Sequence, residues 1–240
     1  MSQPVREMPA ASPSVAAASG KSVFREYVEA FIVALALAVV LRTFLLQAYK
    51  IPSGSMESTL LIGDHIIVNK VGYGLRMPDS LFGLTPLADK IPYGKYLFQL
   101  ESVHRGDVVV FVYPEDPTKD FIKRVVAIPG DTIEVRDGQL YLNGALAQPP
   151  PGTHYEVPPD QRDSSPRDIH EPLTMQPGQY FMMGDNRDRS YDSRFWGPIT
   201  RDAIEGRAMF IYWSCADGED SPAIKCLYDV RWSRLFHVVR

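Results

Sequence analysis

The sequence predicts a mainly β domain preceded by one membrane-spanning helix. Three observations carry this. A Gly-Asp pair stands just ahead of an apolar or alternating run three times, at Gly63-Asp64, Gly106-Asp107 and Gly130-Asp131, which marks turns opening strands. Asp137-Gly138 and Asn143-Gly144 are tight-turn dipeptides, the first joining two alternating segments as a hairpin. Twenty prolines and seventeen glycines favour turns and short strands over long helices. At 240 residues with 45% apolar content, the chain can build one large or two smaller domains with a substantial core. A net charge of −4 without a basic stripe argues against nucleic acid as a partner.

In chain order, residues 1–22 are rich in Ala, Ser and Pro without apolar periodicity and read as a disordered tail. Residues 23–48 read as the anchor: an unbroken apolar run from Ala30 to Leu41 continues past Arg42 into Thr43-Phe44-Leu45-Leu46. It reaches the roughly twenty residues of a membrane span if Arg42 snorkels to the interface. A cleaved signal peptide is the rival, but Leu46-Gln47-Ala48 is a poor cleavage site. Arg6, Lys21 and Arg25 precede the span and favour a cytoplasmic N-terminus, although Glu26 and Glu29 lie there too. Residues 49–240 form the remaining domain. Within it, Leu81, Phe82, Leu97 and Phe98 suit either the bilayer surface or the core, and the Pro-rich stretch 146–178 reads as an extended insertion.

Three stretches carry chemistry. In Ile51-Pro52-Ser53-Gly54-Ser55-Met56, Pro52 and Gly54 bend the chain so that Ser55 is presented on a turn, where it can attack a carbonyl. Its own N–H and the Ser53 hydroxyl can then stabilise an oxyanion, whereas in an ordinary loop the same hydroxyls merely bond local backbone. Alternation in Phe121-Ile122-Lys123-Arg124-Val125-Val126 puts Lys123 on one strand face with Phe121 and Val125, and Arg124 on the other. A buried lysine can be neutral and act as a general base, while the segment alone equally suits a solvated edge strand. The loop from Gly184 to Arg194 does not match an EF-hand and reads as a scaffold held by Asp-Arg pairs, from which Ser190 offers a hydroxyl. Cys215 and Cys226 match no zinc spacing, so they are a disulfide in an oxidising compartment or plain thiols in the cytosol.

Taken together, in this order and spacing, these motifs resemble the type I signal peptidases, membrane-anchored serine proteases that remove signal peptides. The resemblance covers roughly residues 25–213. It implies a coiled antiparallel β-sheet catalytic domain with an extended β insertion on the outer face of the cell membrane, acting as a monomer without a cofactor or metal. It implies Ser55 as nucleophile and Lys123 as general base. Ser53 and Ser55 would form the oxyanion hole, Ser190 would orient the lysine, and Asp192 and Arg194 would support the site. The partners it implies are secreted preproteins with small residues at the first and third positions before the cut, and the phospholipid membrane. A translocated domain would meet oxidising conditions, so a Cys215–Cys226 disulfide is expected. Two residues depart from the family pattern. Ser58 stands where proline is usual and Ala127 where glycine is frequent, and small geometric effects are expected from both. Alternatives are a self-cleaving Ser/Lys protease of the same clan, which needs a DNA-binding helix pair and no span, and a tethered binding protein whose serines are structural.

Overall fold

The computed structural model describes residues 23–77, 94–157, 168–216, 226 and 228–240. The expected tail, Leu81, Phe82 and the middle of the insertion lie outside them. The chain divides into two units, residues 1–39 and 40–240. Helix α1 (Val23–Val40) has no buried side chain. With the π-helical turn Leu41–Leu45 it makes a 23-residue helical stretch, about 35 Å long and apolar enough to cross a membrane. Winding stops there, three residues short of the expected end of the anchor, because Leu46 begins a strand that pairs with the sheet.

The strands in chain order are β1 (Leu46–Lys50), β2 (Asp64–Asn69), β3 (Gly74–Arg76), β4 (Tyr96–Gln99), β5 (Val108–Val112), β6 (Asp120–Ala127), β7 (Thr132–Arg136), β8 (Gln139–Leu142), β9 (Ala145–Leu146), β10 (Ile169–Thr174), β11 (Gln179–Met183), β12 (Ile199–Thr200) and β13 (Ile204–Ser214). Among the described residues they form a seven-stranded sheet in the order β1-β2-β13-β5-β6-β11-β12, a four-stranded sheet β10-β7-β8-β9, and the pair β3-β4. Neighbours are antiparallel. The register slips within β13 near Phe210 and Trp213, and between β6 and β11 near Phe181. Such bulges increase local twist, and the large sheet curls as expected. The insertion is not free-standing, since β10 completes the second sheet by pairing with β7.

The three Gly-Asp pairs are one device used three times. Gly63, Gly106 and Gly130 have φ of 85°, 91° and 88°, a region costly for other residues. Each following aspartate accepts a hydrogen bond from the N–H three residues back: Leu61 N at 2.8 Å, His104 N at 2.9 Å and Ile128 N at 2.9 Å. The turn is thus closed by the side chain before the strand begins. Asp137-Gly138 and Asn143-Gly144 all have positive φ, as two-residue hairpins whose twist matches the strands require.

Strands β5 and β6 are buried on both faces, which accounts for apolar runs without clean alternation. Val108 and Val110 pack with Ile51, Met56 and Leu60, whereas Val109 and Phe111 pack with Val125 and Met182 on the opposite face. Ala127 is fully buried in a third cluster with Ile133 and Phe181. Leu97 and Phe98 are half exposed, so they are not core. Residues beyond 228 cover the remaining edge of β13 through bridges from Val230 to Cys215 and Val238 to Phe210. Arg234 reaches the buried Asp64 carboxylate at 2.6 Å. The Cys215–Cys226 disulfide is formed, with Cα atoms 5.1 Å apart.

Candidate active site

The Ser55 turn is pinned at both ends. Ile51 exchanges backbone hydrogen bonds with Asp64 and Gly63, and Met56 and Leu60 are sunk in the core. Between them Ser53 is extended and Gly54–Met56 make one 3₁₀ turn, so Ser55 sits in its first residues, where N–H groups lack partners inside the turn. Ser55 is buried, Ser53 is exposed, and their hydroxyl oxygens are 3.5 Å apart.

Lys123 meets this turn from β6, which is an interior strand between β5 and β11 rather than a solvated edge. Its Nζ donates to Ser55 Oγ at 2.7 Å and to Ile122 O at 3.0 Å, and lies 5.3 Å from the centre of the Phe121 ring. Only 4% of the residue is exposed. Burial pulls the amine's pKa down to about 8, and the carboxylates of Asp192 and Asp185 pull weakly the other way.

The loop after β11 closes the site from behind. Asn186 N donates to Ser55 O at 3.2 Å. Gly184 packs so closely on Ser55 O and the Ser190 side chain that a Cβ there would overlap both. Arg194 holds Asp192 through Nε to Oδ1 at 2.8 Å and Nη2 to Oδ2 at 2.9 Å, and Asp192 also accepts from Gly184 N at 3.0 Å. Burial pushes the Asp192 carboxyl up most strongly, but the Arg194 charge and the hydrogen bonds from Arg194, Gly184 N and Ser190 together hold it below the ordinary value. Asp192 also caps the short helix α2 (Ser193–Trp196), accepting from Arg194 N. Ser190 is buried beside this group; among the described residues its Oγ makes no well-formed hydrogen bond, although it stands close enough to Asp192 to help lower that carboxyl's pKa, and the second acceptor for Lys123 is the Ile122 carbonyl.

Sequence reasoning missed the partner of Arg124. On the face opposite Lys123, Arg124 donates Nε to Asp185 Oδ1 at 2.8 Å and Nη2 to Oδ2 at 2.7 Å, with both side chains out of water. Thr59 Oγ1 adds a hydrogen bond to Asp185 at 2.5 Å. The strand alternation had separated the two cations, but only the fold brings Asp185 to one of them. Ser58, next to Thr59, has φ 74° and donates to Gly152 O at 2.5 Å. Proline, fixed near φ −65°, cannot occupy this left-handed backbone.

A serine hydroxyl bonded to a buried lysine amine, on a turn fixed in a curled antiparallel sheet, is the equipment of a serine peptidase. The family description "Signal peptidase, peptidase S26" matches residues 24–213. Signal peptidase I of Pseudomonas aeruginosa is 38% identical over 231 residues, covering 80% of this chain and 73% of the relative. Signal peptidase I of Aquifex aeolicus is 32% identical, covering 79% of this chain and 84% of its own length. A crystal structure of a signal peptidase I from Enterococcus faecalis is 30% identical and covers 45% of this chain and 97% of that one, with a TM-score of 0.37. The chain belongs to the signal peptidase family S26 and is a hydrolase of the serine peptidase type.

Proposed function

We propose that this protein is a membrane-anchored endopeptidase that removes N-terminal signal peptides from exported preproteins, with Ser55 as nucleophile and Lys123 as general base. The observation that carries this reading is the 2.7 Å contact between Lys123 Nζ and Ser55 Oγ at a site buried enough to bring the lysine pKa to about 8. At pH 7.5 roughly a quarter of such an amine is neutral, against about one part in a thousand for an unperturbed lysine. The neutral amine accepts the Ser55 proton as Oγ attacks the scissile carbonyl. Ser55 N–H and the Ser53 hydroxyl take the developing oxyanion. The ammonium then returns its proton to the leaving amine, and the lysine serves again as base when water releases the acyl group.

Asp192 and Arg194 support the loop around this pair, and Ser190, buried in the same loop, orients Lys123. The helical stretch Val23–Leu45 is the anchor, with its N-terminus cytoplasmic and residues 49–240 on the outer face as one working peptidase unit. The substrate lies extended along a strand edge with small residues at the first and third positions before the cut. The test uses the full chain in detergent with a preprotein, reading the new N-terminus by mass spectrometry. Ser55→Ala is expected to remove turnover with the fold intact, and retention of the wild-type rate would overturn the assignment.

A further inference from the structure

Spacing along the chain gives Cys215 and Cys226 no metal-binding partner, but folding supplies one from 150 residues away. The register of β2 against β13 sets His65 opposite Trp213 and Asp64 opposite Ser214. Cys215, whose N–H donates to Gly63 O, therefore lies diagonally across from His65 on the same face of the sheet. The two sulfurs and a ring nitrogen of His65 all lie within 4.8 Å of one another. Tyr212 stands edge-on to the imidazole with ring centres 5.8 Å apart. Cys215 is buried while His65 and Cys226 are half-buried, so the group has an inner wall and a side open to water.

With the disulfide closed the sulfurs offer no thiolate. We propose that, once it is reduced, Cys215, Cys226 and His65 form a three-ligand site for a soft divalent cation of the zinc type, with water in the fourth position. The chemistry balances. A dithiol reductant supplies two electrons and two protons, the S–S bond breaks, each sulfur becomes a thiol, and the reductant leaves as its own disulfide. Cation binding then releases the two thiol protons. Two thiolates cancel the charge of the cation, which suits a site walled on one side by buried protein. Zinc bonded to sulfur at about 2.3 Å and to nitrogen at about 2.0 Å holds tetrahedral ligands roughly 3.5–3.8 Å apart, so the group needs only small side-chain rotations to close on it. The cation would replace the disulfide as the tie between β13 and the segment after Cys226, keeping that edge covered in both redox states.

The test takes the tag-free full chain in detergent, reduced with a phosphine and freed of metal, and titrates it with Co²⁺ and then competing Zn²⁺. One Co²⁺ per reduced chain is expected, with thiolate-to-cobalt charge-transfer absorption, and none in the oxidised chain. His65→Gln should weaken binding at least about tenfold while leaving peptide cleavage by the oxidised protein unchanged. No stoichiometric uptake by the reduced chain, or unchanged affinity in His65→Gln, overturns the site. Should that variant fail to fold, nitrogen NMR of the wild type decides: the His65 ring nitrogen must shift on Zn²⁺ addition in the reduced chain, and an unmoved signal overturns it.

Discussion

Lys123 and Arg124 are consecutive on β6, both almost wholly out of water, and the two sides of the strand treat their charges differently. Arg124 meets a bidentate carboxylate, Asp185, along with the Gly106 carbonyl. Lys123 meets a hydroxyl, a carbonyl and an aromatic ring, and the nearby carboxylates Asp185 and Asp192 are already engaged by arginines. One side provides for a permanent charge. The other leaves the ammonium poorly compensated, which favours the neutral amine. The side chains suit these surroundings, because a guanidinium cannot shed its proton under protein conditions and an amine can. Burial is tolerated by a cation faced by a bidentate carboxylate, as at Arg124, and lowers the pKa of one that lacks it, as at Lys123.

The largest expected effect follows from removing the uncompensated charge. Lys123→Met should lower turnover by about 10⁴ or more while raising stability near neutral pH by up to about 3 kcal/mol, read from turnover and denaturant melts. Between the folded pKa of about 8 and the unfolded value of 10.5, the unfolded chain holds a proton that the folded chain has lost. Wild-type stability should therefore climb with pH across that window, and the Met variant should show no such climb. A flat wild-type profile would mean that the lysine is not depressed.

Removing the compensation on the other side should do the reverse. Asp185→Asn strands the Arg124 charge and is expected to cost about 3–5 kcal/mol of stability, with the pH–rate profile of the remaining folded enzyme moved towards acid because a carboxylate that raises the Lys123 pKa is gone. Ser53→Ala should leave a folded protein slower by about 10²–10³ in kcat, a loss confined to the reactive side. Full activity there would remove Ser53 from the oxyanion site. The smallest effect is expected in the turn that joins the two sides. Both Ser58→Ala and Ser58→Gly lose the hydroxyl bond to Gly152, but alanine keeps a Cβ at the left-handed φ of 74° and glycine removes it. Glycine should be the less destabilising by about 1 kcal/mol in parallel thermal melts.

What could be read from the sequence had a local cause. The Gly-Asp turns, both two-residue hairpins and the separation of Lys123 from Arg124 onto opposite faces depend on residues a few positions apart, so their spacing announces them. The insertion's membership of the second sheet was less visible, because β10 pairs with β7 across 30-odd residues of Pro-rich chain and its own alternation is weak. The pairing of Arg124 with Asp185 joins residues 61 apart, and that of His65 with Cys215 joins two strand ends through register alone. Nothing local marks either. The Leu46 boundary was misplaced for a related reason: Leu46-Gln47-Ala48 is as apolar as the end of a helix, and only its pairing with β2 turns it into strand.

The Asp64 carboxylate, set at the start of β2 and fully buried, waits for a residue 170 positions later in the chain, Arg234. At translation rates of about 5–20 residues per second, roughly ten to thirty seconds separate the emergence of the two. Throughout that interval the acid lacks this cation, and β13, which ends at Ser214, itself emerges only near its close. The sheet can assemble piecewise, but its last seam is sealed only after most of the polypeptide exists, so the order of events in time is written into the pairing of Asp64 with Arg231 and Arg234.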